Sequence, residues 1–427
     1  MNDNPWSKCL EVASVSDLGM RRTNNQDSHQ EVLARTQALW NRRGHLFIVA
    51  DGMGAHAAGE LASKLATDSI PIAYMKKGTL SPAEALPLSL QEANRLIHTK
   101  GNADEALRGM GTTCDSLLIL PEGVLIAHVG DSRVYRLRNR KLEQMTFDHS
   151  VVWELQANGV ESAGVQKNMI TRCLGVNPEV QVDLEGPTPC MPNDIYLMCS
   201  DGLSGQYEEA EGEIGMVLSL LPLQEATQSL VDLANLRGGP DNITVTTIKY
   251  LGPQTATGPV AEKYPAPTAS HTELEAKPVP TWVWSVLVLF VVLFLLSLPL
   301  AIYGHVTGWP LMGVSVLGLA GFGGYLATRR AGAAFAHRFG KGPYRQYDAT
   351  PNVAFLRKLR DMYTELRTSA IQQGSFEWHE VDQWEANAKK AEEEKKLLDA
   401  CRNYLRAISG IWRQLNGENE DYSVMVR

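Results

Sequence analysis

Cysteine is sparse in this sequence and never paired. Cys9, Cys114, Cys173, Cys190, Cys199 and Cys401 are scattered, with no C-x-x-C or other zinc-like spacing. There is no His-rich or Cys-rich cluster either, so zinc and a disulfide framework are both disfavoured. Free thiols in a reducing compartment are the simplest reading. A basic excess is also missing: 40 Lys and Arg against 48 Asp and Glu leave a formal charge of -8. Nucleic acid is therefore not an expected partner. Residues Met1 to Ser16 lack an apolar core of signal-peptide length, which places the first domain in the cytosol by expectation. One stretch lacks charge altogether. Between Lys277 and Arg329 there is no Asp, Glu, Lys or Arg.

A chain of 427 residues suggests two or three structural units. The pattern divides it into a globular region over residues 1–251, a Pro/Thr/Ala-rich linker over 252–280, an apolar region over 281–328 and a tail over 329–427. In the first region His45 to Ala50 reads as a buried strand. Ala57 to Met75 and Ala83 to His98 have helical spacing. Cys114 to Leu120, Val124 to Val129 and Val134 to Arg138 form a cluster of short strands, the first two joined by a Pro121-Glu122-Gly123 turn. Asp194 to Cys199 and Ile243 to Tyr250 add strands; Glu208 to Leu220 and Gln224 to Leu236 add helices. Clustered hairpins under helices fit a sandwich better than a doubly wound sheet.

The apolar region predicts two membrane-spanning helices, about 282–303 and 310–328, separated by Gly304 to Pro310. Trp282, Trp284, Tyr303 and Trp309 would sit at the interfaces. Ala320 and Gly324 have a small-xxx-small spacing. Lys263 and Lys277 before the first run, and Arg329, Arg330, Arg338, Lys341 and Arg345 after the second, put both long ends in the cytosol. This makes the lipid bilayer a partner and the inner (plasma) membrane, multi-pass, the location. A single span with a re-entrant segment, or a buried hairpin of a soluble domain, fits the same runs. The tail has helical spacing at Phe355, Leu359, Met362, Tyr363 and Leu366, and again from Val381 to Trp412. Its Lys389 to Lys396 run reads as a solvated helix face.

Aspartates recur at strand ends. Asp51-Gly52 follows Phe47 to Ala50, Asp131 follows Leu125 to Gly130, Asp201-Gly202 follows Ile195 to Cys199, and Asp241-Asn242 precedes Ile243 to Val245. Asp17 and Asp27 flank Arg22. Four or more carboxylates brought together repel strongly, and hard divalent cations such as Mg²⁺ or Mn²⁺ remove that penalty. A glycine after Asp51 lets a backbone carbonyl approach such an ion. Each Asp-Gly alone is an ordinary turn signal; the ordered set carries the weight.

That ordered set resembles the metal-dependent, type 2C protein phosphatases in their bacterial form, over about Val12 to Lys249. The matching runs are Asp17-x-Gly19-x-x-Arg22-x-x-Asn25-Gln26-Asp27, Val49 to His56 with Gly59-Glu60 and Ser63, Gly111-Thr112-Thr113 and Gly130 to Tyr135. Thr146 to Ser150, Ile170 to Gly175, Cys199 to Leu203 and Asp241 to Val245 complete it. The resemblance implies an α+β fold, a four-layer αββα sandwich, here followed by the transmembrane hairpin and helical tail. It implies a centre of two Mn²⁺ or Mg²⁺ ions with a third, weaker site. Asp51 would bridge two ions and the Gly52 carbonyl would bind one. Asp201 and Asp241 would hold the other, and Asp27 would orient bound water. Asp131 with Asp201 would form the third site, and Arg22 would grip phosphate. The implied reaction is hydrolysis of phosphoserine and phosphothreonine in phosphorylated proteins, opposing a Ser/Thr kinase and proceeding without a phosphoenzyme. Met53 stands where eukaryotic relatives often carry a histidine acid, so leaving-group protonation would fall to water. Ala55 replaces a common glycine. His56 reads as structural, His149 is given no proton-transfer role, and Thr112 and Thr113 read as supports. A non-catalytic scaffold should have lost metal aspartates, and all are present. A metabolite phosphatase would use the same centre.

Overall fold

The structure is a computed structural model that describes residues 9–54, 58–160, 164–165, 169–207, 212–253, 255, 281–303, 307, 309–319, 342–373 and 376–416. The chain forms two compact units, one of residues 1–260 with 340–427 and one of residues 261–339.

The larger unit begins with β1 (Leu10–Asp17), β2 (Asp27–Val32), α1 (Gln37–Arg43), β3 (His45–Met53), α2 (Ala58–Lys76) and α3 (Pro82–Ala103). It continues through β4 (Gly111–Thr112), β5 (Cys114–Leu120), β6 (Gly123–Val129), β7 (Arg133–Arg138), β8 (Lys141–Gln144) and α4 (Val151–Ala157). Then follow β9 (Asp183–Thr188), β10 (Ile195–Cys199), α5 (Asp201–Ser204), α6 (Gly212–Leu220), α7 (Leu223–Leu236) and β11 (Ile243–Tyr250). The smaller unit contains α8 (Thr281–Ile302) and α9 (residues 309–319). The chain returns to the larger unit with β12 (Arg345–Asp348), α10 (Val353–Gln373), α11 (His379–Glu393) and α12 (Leu397–Leu415).

Two antiparallel sheets form the centre. One runs β1-β11-β10-β7-β8-β12; the other runs β2-β3-β5-β6-β9, with β4 beside β3. Strands β3 and β5 are central and almost wholly buried, which is why they read as unbroken apolar runs. Phe47, Val49, Leu117 and Ile126 from one sheet pack against Val134, Tyr196, Met198 and Ile248 from the other. Helices α2 and α3 cover the outside of the β3 sheet, and α6 and α7 cover the other. A capping box starts α3: the Glu84 N–H donates to Ser81 Oγ and the Ser81 N–H to Glu84 Oε2.

The tail adds a fifth layer. Tyr404, Leu405, Ile408 and Ile411 recur at helical spacing on α12 and share a core with Leu230 and Val231 of α7 and with Phe355 and Leu359 of α10. The buried Ser409 hydroxyl donates to Ser229 Oγ at 3.0 Å, and Arg402 Nε donates to the Leu220 carbonyl at 2.8 Å. Strand β12 pairs antiparallel with β8, Arg345 opposite Gln144, and so covers what would be an open sheet edge.

The expected membrane hairpin is corrected. Among the described residues no helix is long and apolar enough to cross a membrane. Residues 320–328 of the second expected span, Arg329, Arg330, Arg338, Lys341 and nearly all of the linker lie outside the described residues. Among the described residues the fold is therefore an α+β sandwich without a transmembrane hairpin, and the expected membrane anchor, bilayer partner and multi-pass inner-membrane location are not supported. Within the smaller unit, a Cβ at Gly318 would overlap the Phe290 ring, so α8 and α9 pack closely there.

Because tail and sandwich share one core, Ile408→Ala should lower the melting temperature of the whole larger unit. A loss of about 2–5 kcal/mol is expected for truncating a buried Ile. Calorimetry should show the sandwich transition moving down; an unmoved sandwich transition would mean the tail is energetically separate.

Candidate active site

The aspartates come from both sheets. Asp27 and Asp51 are direct cross-strand partners at the end of β2 and β3. Asp201 opens α5 after β10, and Asp241 lies just before β11, which pairs with β10 in the other sheet. Asp131 sits in the short crossover from β6 of one sheet to β7 of the other. The Ser200 hydroxyl donates to Asp27 Oδ2 at 2.7 Å and ties the two sets together.

Local hydrogen bonds fix each position. The Asp51 N–H donates to Thr113 Oγ1 at 2.9 Å, while the Thr113 N–H and the Thr112 hydroxyl donate to the Asp51 carbonyl at 2.8 and 2.9 Å. Thr112 and Thr113 thus support the site without facing it chemically. Gly52 is required by space, because a Cβ there would overlap the Gly59 carbonyl and reach 2.5 Å from the Gln26 carbonyl. Gly19, at φ +76°, has no room for a Cβ beside the Asp241 carbonyl. Asn242 pins the loop that carries Arg22. Its Nδ2 donates to the Leu18 and Asn24 carbonyls at 2.9 and 3.0 Å, and its Oδ1 accepts from the Gln26 N–H at 2.9 Å. His149 brackets the residue before Asp131: its N–H donates to the Gly130 carbonyl at 2.7 Å and its Nδ1 accepts from the Gly130 N–H at 2.9 Å.

The electrostatics are those of crowded, buried carboxylates. Burial, with Asp27 and Asp201 nearby, raises the Asp51 pKa well above the ordinary value. Burial raises Asp27 to about 7 against the donated Ser200 hydrogen bond, Asp131 to about 8 with Asp201 adding, and Asp201 to about 6 with Asp241 adding. Arg22 donates to Asp241 Oδ2 at 2.7 Å on the open side, its side chain 49% exposed.

Oδ1 of Asp27, Asp131 and Asp201 is buried and accepts no hydrogen bond. Buried acceptors are normally satisfied, and a hard divalent cation satisfies carboxylate oxygens. The donor set therefore fits Mg²⁺ or Mn²⁺. Among the described residues no three His, Cys, Asp or Glu side chains are gathered into a preformed metal-binding group. Mg²⁺ keeps several waters and takes one or two carboxylates, so converging but unclosed aspartates suit it better than a closed zinc-type cage.

Every residue singled out from the sequence, Arg22, Asp27, Asp51, Gly52, Asp131, Asp201 and Asp241, thus lies on strand ends or crossovers of one sandwich. The electrostatic causes above join the five aspartates, and Arg22 joins them through Asp241. Ala55 and His56 lie outside the described residues. Ser200 and Asn242 entered the sequence reading only as members of the motifs around Asp201 and Asp241, with no role of their own.

The protein phosphatase 2C family model matches residues 20–234. Protein phosphatase PhpP of Streptococcus pneumoniae is 38% identical over 248 residues, 56% of this chain and 97% of its own length. The chain belongs to the protein phosphatase 2C family. Serine/threonine phosphatase stp of Listeria monocytogenes is 38% identical over 213 residues, 48% of this chain and 84% of its own. The solved serine/threonine phosphatase of S. agalactiae matches at a TM-score of 0.50 and 32% identity, over 57% of this chain and 100% of its own. This protein phosphatase 2C is a metal-dependent protein-serine/threonine phosphatase, a phosphoric monoester hydrolase, and its family implies Mn²⁺ or Mg²⁺ as the ions.

A carboxyl whose folded pKa is raised adds stability below its unfolded pKa and loses it as pH rises through the folded one. With Asp201, Asp27 and Asp131 at about 6, 7 and 8, the metal-free protein should lose stability between pH 5 and 8. Melting in chelator across that range should show a falling midpoint. Asp201→Asn should raise the midpoint at pH 8 by several degrees, about what 1–2 kcal/mol gives in a domain of this size. A midpoint that climbs with pH would contradict the burial argument.

Proposed function

We propose that this phosphatase hydrolyses phosphoserine and phosphothreonine on other proteins, opposing a Ser/Thr kinase, with the strand-end aspartates as its metal-binding residues. The observation that carries the reading is the group of buried carboxyl oxygens on Asp27, Asp131 and Asp201 with no hydrogen-bond partner, beside the exposed cation of Arg22.

In this reading Asp51 and the Gly52 carbonyl, with Asp201 and Asp241, would hold two ions. Asp131 with Asp201 serves a third, weaker site. Bound there, such ions supply an activated water and offset charge on the transferring phosphoryl group. Asp27, fixed by the Ser200 hydroxyl, would orient the attacking water. Arg22 presents a planar fork to two phosphate oxygens, and Asp241 holds it at the rim until substrate arrives. Asn242 keeps the Arg22 loop in register with the carboxylates. Water serves the leaving group in the absence of a histidine at Met53.

Two variants test this on a phosphopeptide with Mn²⁺. Asp51→Ala should lower turnover by at least about 10³-fold, in line with losing a central electrostatic element. Arg22→Ala should lower kcat/KM by about tenfold or more, mostly through KM. Undiminished phosphate release by Asp51→Ala would remove the proposal's foundation.

A further inference from the structure

The returning tail touches the side of the sandwich that carries Asp131. Glu185 of β9, at the edge of one sheet, is 4% exposed. It accepts from the Tyr344 hydroxyl and, at 3.2 Å, from the Gly342 N–H. Tyr344 also donates its N–H to the Gln144 carbonyl of β8 in the other sheet at 2.8 Å. Residues 342–344 therefore link β9 of one sheet to β8 of the other, just ahead of the β12–β8 pairing.

The next residue reaches α4. The Arg345 guanidinium lies 3.9 Å from the centre of the Trp153 ring, and its Nη2 donates to Gln156 Oε1 at 2.9 Å. Trp153 packs edge-on against Phe147 at 5.3 Å, and Phe147 against Tyr344 at 5.5 Å. The same indole lies 5.6 Å from the guanidinium of Arg133. Arg133 is held by three hydrogen bonds of 2.7 to 3.1 Å to Asp148. Arg133 stands two residues after Asp131. Between them, Ser132 Oγ shares a 2.7 Å hydrogen bond with Thr113 Oγ1, which accepts from the Asp51 N–H.

We propose that tail residues 342–348 are a positioning element of the phosphatase site. Arg345 and Tyr344 hold Trp153 and Phe147, these hold Arg133 and Asp148, and the Asp131–Arg133 corner is thereby set against Asp51. The inference rests on the metal role given to Asp131 above. It differs from a purely stabilising docking of the tail, because that role belongs to the fifth helical layer and does not require Arg345 to meet Trp153.

The full-length chain is tested as Arg345→Ala, Arg345→Lys, Tyr344→Phe and Asp131→Asn, together with the double variant Arg345→Ala/Asp131→Asn. Mn²⁺ binding is read by calorimetry without substrate, and kcat and KM are read separately on a phosphopeptide. Arg345→Ala should weaken the weakest Mn²⁺ step by about fivefold, within the range of remote coupling, with Arg345→Lys recovering part of it through the retained cation over the ring. In the Asp131→Asn background, Arg345→Ala should add nothing further, which is the sign of a shared route. Tyr344→Phe removes one hydroxyl and keeps the chain intact, so it should show a smaller shift of the same sign even if Arg345→Ala folds poorly. If Mn²⁺ binding and kinetics are unchanged in Arg345→Ala and Tyr344→Phe while only the melting temperature falls, the positioning role is overturned. If Asp131→Asn itself leaves Mn²⁺ binding unaltered, the Asp131 assignment fails and the inference fails with it. If Asp131→Asn weakens binding and the tail variants do not, the inference alone fails.

Discussion

Mutual repulsion among buried carboxylates is the constraint around which this molecule is organised. Asp27, Asp51, Asp131 and Asp201 are all held in low-dielectric surroundings that push their pKa values up, burial being the leading cause in each. Left to themselves such groups would spread or draw in water. They stay because each sits at the end of a strand whose neighbours fix it in both sheets. The apolar layer of Phe47, Val49, Met198 and Ile248 between the sheets therefore opposes a charge cluster at its rim. In the proposed reading, a bound divalent cation would offset that repulsion.

Polar side chains near the cluster work on the backbone more than on the carboxylates. Thr112 and Thr113 grip the main chain at Asp51, Asn242 grips three backbone groups of the Arg22 loop, and His149 grips Gly130 at both ends. The carboxyl oxygens themselves are left comparatively bare. In the proposed reading, this division would leave the acceptors to an ion and the geometry to the scaffold.

Much of this was legible in the sequence, for reasons specific to each segment. The buried strands β3, β5 and β6 announce themselves as apolar runs, with Asp51-Gly52 at the end of β3 and Gly130-Asp131 directly after β6. The short β4 and β8 and the half-polar β9 carry no such pattern, since a strand of two to six residues can be specified by its neighbours. The apolar run from Trp282 to Thr328 reads as a membrane hairpin on composition alone, whereas among the described residues no helix is both long and apolar enough to cross a membrane. Arg345 was misread with it. As a basic residue after an apolar stretch it looked like a flanking charge, whereas its guanidinium lies on the Trp153 ring. No local pattern joins residues that far apart in sequence, and the same holds for Ser229 with Ser409.

The pairing of β12 with β8 also bears on how the chain is made. Gln144 and Arg345 are about 200 residues apart, and the apolar unit is synthesised between them. At about 5–20 residues per second, a ribosome leaves the β8 edge uncovered for roughly ten seconds or more after that strand emerges. During that interval the nascent sandwich presents an unfilled hydrogen-bonding rim while apolar sequence follows it out of the tunnel. Timely arrival of the final segment is thus a demand on biogenesis that a phosphatase ending after its last core strand does not face.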